Sequence, residues 1–178
     1  PAAKAPKSAT KPPITPVTVE VRADGLAYLP GATQPFTGDA VRPNEKQPWK
    51  VKFKEPYLDG RKHVDVTEFY ADGKPKTLRH YENGVPKWAK AFHKNGQPKF
   101  DLPLNAADKV EGPYRRFHAN GQLEAEATFD AQERWHGEFK EWSAEGQPRA
   151  HYVMEEGYLV RVIMETEEKK AERLAQGV

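Results

Sequence analysis

The 178-residue chain has no cysteine, which excludes both a disulfide framework and a thiolate zinc site. It has no run approaching the ~18 consecutive apolar residues that a membrane span needs, and no signal-peptide pattern. Apolar residues make up only 37% and the mean hydropathy is −0.88, which argues against a thick two-layer α/β enzyme. An excess of either charge is also missing. Twenty-eight Lys and Arg stand against 26 Asp and Glu, a balance of +2 that carries no nucleic-acid signature. Lys4, Lys7 and Lys11 fall in residues 1–16 without an acid; removing these three from +2 leaves −1, so the basic character belongs to a tail.

Aromatic residues are well supplied: 8 Phe, 7 Tyr and 4 Trp are too many for a disordered chain. Gly and Pro are in excess, with 13 and 16 copies. Five of the prolines lie in PAAKAPKSATKPPITP, which reads as a stiff, solvated and disordered Pro/Lys-rich spacer over residues 1–18. Such a spacer, in a chain beginning at Pro1, sets the expectation of a removed signal or lipid anchor upstream, membrane association through that anchor, and a periplasmic or cell-envelope location. A disordered cytoplasmic tail is the alternative.

Most of the remaining glycines mark a repeat. FYADGKPK, FHKNGQPK, FHANGQLE and WSAEGQPR align on Gly73, Gly96, Gly121 and Gly146, spaced 23, 25 and 25 residues apart. Asp-Gly and Asn-Gly between apolar runs predict hairpins, with both central residues of a type I′ turn at positive φ. After each glycine the pattern alternates, as in Leu123, Ala125, Ala127, Phe129 and in Pro148, Ala150, Tyr152, Met154, which puts one set of side chains on one strand face. A second series, Gly60, Gly84, Gly112, Gly137 and Gly157, supplies the opposite turns. The expectation is an all-β, elongated, single-layer antiparallel meander of β-hairpins over residues 19–164, with clear copies at 57–157. Leu26–Tyr28 and Pro35–Gly38 form a degenerate opening copy, and residues 165–178 a short C-terminal helical cap or tail.

These residues resemble the MORN-repeat family in its bacterial variant form, best in YRRFHANGQLEAEATFDAQERWHGEFKEW. The G-x-G pair of the standard unit is absent, a departure that weakens the carry-over of the phospholipid binding attributed to some standard repeats. The resemblance implies a non-catalytic, often secreted or lipid-anchored interaction protein; some members are labelled antitoxins. It therefore implies no enzyme activity and no cofactor, and a protein partner or larger complex.

His93 and His118 share a repeat column with Tyr70 and Ser143, but two histidines without a third ligand are a poor zinc site. Glu124, Glu138 and Glu141 would need a shared cleft to act as a hydrolytic pair. No P-loop, G-x-G-x-x-G or G-x-S-x-G occurs. The candidate partner-binding residues are Trp88, Trp135, Arg134, Tyr70, His93 and His118, chosen because Trp, Tyr and Arg anchor interfaces and because the column repeats. The lysines at 87, 90, 94 and 99, with Trp88 and Phe92 among them, raise anionic lipid as an alternative ligand.

Overall fold

The computed structural model describes residues 11–176. Strands β1 (Glu20–Val21) and β2 (Ala27–Tyr28) make a two-stranded ribbon. The main sheet contains β3 (Gly38–Pro43), β4 (Val51–Leu58), β5 (Arg61–Lys62), β6 (Val64–Phe69), β7 (Pro75–Glu82) and β8 (Val85–Phe92). It continues through β9 (Pro98–Pro103), β10 (Gly112–Phe117), β11 (Leu123–Phe129), β12 (Gly137–Trp142), β13 (Pro148–Glu155) and β14 (Tyr158–Glu165). Helix α1 (Glu167–Ala175) follows. All pairings are antiparallel and the strands lie side by side in chain order from β3 to β14, with short β5 pairing β4 alone. This is the expected meander: among the described residues, twelve strands in one sheet whose two edges, β3 and β14, do not meet.

The two glycine series make different turns. At Asp59-Gly60, Asn83-Gly84 and Glu156-Gly157 both residues have positive φ, the geometry of a type I′ hairpin. At Gly73, Gly96 and Gly121 the expected type I′ geometry is replaced: only the glycine has positive φ, and its N–H bonds the carbonyl three residues back, at Tyr70, His93 and His118. Each is a type I turn closed by a glycine bulge, and the strand register slips there, as between Glu68 and Phe69 or Arg116 and Phe117. Asp72, Asn95 and Asn120 serve these turns through the side chain, each carboxyl or amide oxygen accepting the N–H two residues on.

Cross-strand register sorts the sheet into two faces. The inner face carries Ala89, Leu102, Tyr114, Ala127, Phe139 and Tyr152, with Ala127 and Tyr152 on it as the alternation predicts. The outer face carries polar and charged residues in line: Lys90 opposite Asp101, Asp101 opposite Arg115, Arg115 opposite Glu126, and Glu126 opposite Lys140. Two clusters of buried residues mark the two ends of the inner face. Ala27, Ala40 and Tyr57, with Val19 and Phe36, fill the N-terminal end. Ala125, Ala127, Phe139, Ala150, Tyr152 and Met154 fill the C-terminal end.

Part of the expected spacer falls in residues 1–10, outside the described residues. Within residues 11–18 the backbone is engaged: Val17 exchanges both hydrogen bonds with Val41, and the Ile14 N–H donates to Pro48. The segment after it forms the opening cap. Leu26–Tyr28 and Phe36 stitch to the 59–60 turn, with Ala27 N–H on the Gly60 carbonyl and Gly60 N–H on the Phe36 carbonyl, both at 2.8 Å. Trp49 lies half-exposed in the β3–β4 turn.

Candidate functional site

At the C-terminal end, β10 to β14 and α1 enclose a groove of about 510 Å³ on the inner face. Its floor follows from the repeat. Inward positions of successive strands are taken by aromatic residues, so neighbouring copies place rings side by side. Trp135 stacks on Phe139 at 4.8 Å, and Phe139 on Tyr152 at 5.9 Å. Phe129 meets Trp135 edge-on at 6.4 Å, and Tyr114 meets Phe129 edge-on at 5.8 Å. Alanines at 125, 127 and 150 leave room for this row. Phe139 and Tyr152 are buried, whereas Trp135 keeps 39% of its surface exposed.

Helix α1 forms the polar wall. Thr166 caps it, its hydroxyl accepting the Lys169 N–H, and Glu167 and Glu168 favour the positive end of the helix dipole. None of its residues is buried. It is held by charge: Lys169 lies 2.9 Å from Glu141, and Arg149 lies 3.4 Å from Glu141 and 2.9 Å from Glu172. The Glu141 side chain is only 8% exposed, a buried acid neutralised by two cations. Arg173 donates twice to Glu165, which also accepts from the Tyr152 hydroxyl at 2.9 Å. Arg173 and Tyr152 together hold the Glu165 carboxyl down to about 2. Burial and the same hydrogen bond push the Tyr152 phenol up to about 12. Burial also raises the Tyr114 phenol. Opposite the helix, Arg116 lines the groove with Glu124 3.1 Å from its Nε.

The sequence-predicted residues are dispersed. Trp135 stands in the groove. Arg134, beside it, is anchored to Asp130 at 2.8 Å and Glu156 at 3.5 Å. Trp88 lies on the outer face, stacked on His80 at 5.0 Å, with Lys90 over its ring. Tyr70, His93 and His118 form a ladder between copies: the Tyr70 hydroxyl donates to the Phe92 carbonyl, His93 Nε2 to Phe117 and His118 Nε2 to Trp142. Asn95 and Asn120 add parallel bonds to Ala119 and Ala144. That column joins repeat to repeat. Glu138 bonds Lys140 on the outer face, so it shares no cleft with Glu141. Sequence reasoning missed Arg116, Lys169 and Arg173. The alternation did single out Ala125 and Tyr152, but only as one face of a strand.

Comparison with known proteins agrees with the repeat. The family described as "MORN repeat variant" matches residues 62–83 and 110–131. No curated protein matches the chain. Among solved structures, a chain of a "GtfA/B complex bound to UDP and GlcNAc" aligns with 13% identity and a TM-score of 0.27. The alignment covers 64% of this chain and 25% of that one, so this chain spans about a quarter of that length.

Proposed function

The chain carries MORN-variant repeats, and from that premise we propose a non-catalytic protein-binding module, an accessory subunit of a bacterial envelope assembly, that docks its partner along the free edge of β14. The observation that carries this reading is the concentration of exposed apolar side chains on that one strand. Tyr158 is 75% exposed, Val160 51% and Ile163 45%, with Val162 and Met164 exposed beside them. An edge strand offers unpaired N–H and C=O groups, and apolar side chains along it favour the addition of an extended partner segment. Trp135 extends the surface, since its carbonyl accepts the Gly157 N–H just ahead of β14. The envelope placement draws on the Pro/Lys-rich composition of residues 1–16 and on the family resemblance. Anionic lipid through Lys87–Lys99 has less support, because Lys87 pairs with Glu82 at 3.4 Å and Lys90 with Asp101 at 3.3 Å.

The test is capture from native cell extract with the full chain and with a Val160→Lys/Ile163→Lys variant, scored by quantitative mass spectrometry. The expected result is a partner retained by the native chain and by Trp88→Ala, and lost with the double variant. Capture indifferent to the edge substitutions, or no capture at all, overturns the reading.

A further inference from the structure

The protein-binding reading uses the β14 edge and leaves the groove beneath α1 without an occupant. Its volume, about 510 Å³, lies within the roughly 300–1,000 Å³ of ordinary small-molecule sites. It also has their composition, an apolar aromatic floor with a few polar groups at one side. Those groups are unequal. Lys169 is neutralised by Glu141 and Glu172, at 2.9 and 3.2 Å. Arg173 is held by Glu165. Arg116 has one acidic neighbour among the described residues, Glu124, and its buried Nε makes no well-directed hydrogen bond even to that.

We propose that this groove binds a small amphipathic carboxylate, an aromatic or alkyl body lying on Trp135 and Phe139 with its single anionic head on the Arg116 guanidinium. The planar fork of a guanidinium matches a carboxylate, and such charge-assisted bonds are the strong ones. A purely apolar ligand would desolvate Arg116 further and leave a donor unpaired. A multiply charged anion such as a phosphate monoester would bring a second charge without a second cation to meet it, because Lys169 is already paired with Glu141 and Glu172 and Arg173 with Glu165. A partner helix has no room on that side, because α1 already forms the wall. One charge on an apolar body is the chemistry that matches the aromatic floor and the Arg116 guanidinium, which it would share with Glu124.

The experiment is calorimetric titration of the full chain with naphthoate and with its neutral isostere naphthamide; decanoate, as a further arm, distinguishes an alkyl from an aromatic body. Naphthoate is expected to bind about tenfold or more tightly than naphthamide, the order that a charge-assisted hydrogen bond confers. Arg116→Gln is expected to remove that preference while leaving naphthamide binding in place, and Trp135→Ala to weaken both. Should Arg116→Gln fail to fold by circular dichroism, Arg116→Lys keeps the charge but not the fork, and is expected to reduce the preference. Trp88→Ala and Val160→Lys/Ile163→Lys are expected to bind naphthoate as the native chain does, which separates this site from the docking edge. Equal affinity for acid and amide, no saturable binding of either acid, or indifference to both Arg116 substitutions overturns the proposal.

Discussion

The two ends of the sheet are closed by opposite means. At the N-terminal end the chain seals its own edge: Val17 pairs with β3, and residues 26–36 fold onto the 59–60 turn with alanine, tyrosine and phenylalanine packed beneath them. At the C-terminal end β14 pairs with β13 alone among the described residues, leaving its outer edge open, and α1 lies across the inner face with none of its own residues buried, tethered by ion pairs. An apolar plug is stabilised by burial, which is insensitive to salt and tolerant of no added volume. A charged strap is weaker, screened by salt, and leaves a groove under it. A repeat array needs both ends capped, because terminal copies lack one neighbour. Here one cap is a closure and the other leaves an apolar edge and a groove exposed.

Two equivalent turn glycines put the largest number on that difference. Gly60 and Gly157 both sit at positive φ, +76° and +87°, so alanine at either carries the left-handed strain of about 1–2 kcal/mol. A Cβ at Gly60 would also stand 2.8 Å from Leu26 Cβ and 3.1 Å from the Ala27 nitrogen, inside the plug. At Gly157 the nearest atom is Arg134 Cβ at 3.7 Å, an ordinary contact. Gly60→Ala is expected to destabilise by about 3 kcal/mol, strain and overpacking together, and Gly157→Ala by about 1 kcal/mol. Denaturant unfolding checks both; equal losses would mean that the N-terminal cap is as loose as the C-terminal one.

The strap should fail through its charges. Glu141→Gln leaves Arg149 and Lys169 to share Glu172 at a nearly buried site, and a loss of about 2 kcal/mol is expected, below that of a fully buried pair because Glu172 remains and both cations keep a fifth to a quarter of their side chains exposed. The loss should appear as faster hydrogen exchange in residues 167–175, deepened by high salt, with residues 26–60 unchanged. Acid should act at the same place. Glu165 has its folded value depressed to about 2, so its contribution is complete above the ordinary carboxylate range and fades as the pH falls toward 2. Exchange at α1 followed down through that window should rise in the native chain; in Glu165→Gln it should already be raised at neutral pH and change less on acidification.

The meander was legible because its signals are local: turn glycines at a fixed spacing and an alternation of two between them. The inner-face alanines and aromatics were legible for the same reason. What stayed hidden depends on the third dimension. Trp88 and Trp135 look alike in sequence, yet cross-strand register places one on each face. Tyr70, His93 and His118 repeat because each bonds the carbonyl of the next copy, a contact 22 to 24 residues away. Arg116 gained its place in the groove from α1, about fifty residues downstream, and no spacing within a copy announces that. The turn type was misjudged because Asn-Gly serves a type I turn with a bulge as well as a type I′ turn, and only the slip in register tells them apart.

The smallest effect tests how far the N-terminal copies depart from the regular ones. Gly38, Val64, Gly112 and Gly137 each open a strand, opposite Tyr57, Tyr81, Phe129 and Met154, and all four have positive φ. Three are the residue that such a backbone favours. Val64, at φ 55°, is β-branched and half-exposed, so it bears the strain of the left-handed region with little burial in return. Replacing it by glycine removes about 1–2 kcal/mol of strain and costs about 0.5–1 kcal/mol in unfolded-chain entropy. Val64→Gly is therefore expected to stabilise the protein by about 0.5–1 kcal/mol, read as a raised denaturation midpoint with an unchanged slope. Val153→Gly, in the interior of β13, should destabilise instead. If Val64→Gly also lowers the midpoint, the valine is held by contacts to the N-terminal cap, and the sealed end of the sheet reaches one strand further than the 59–60 turn.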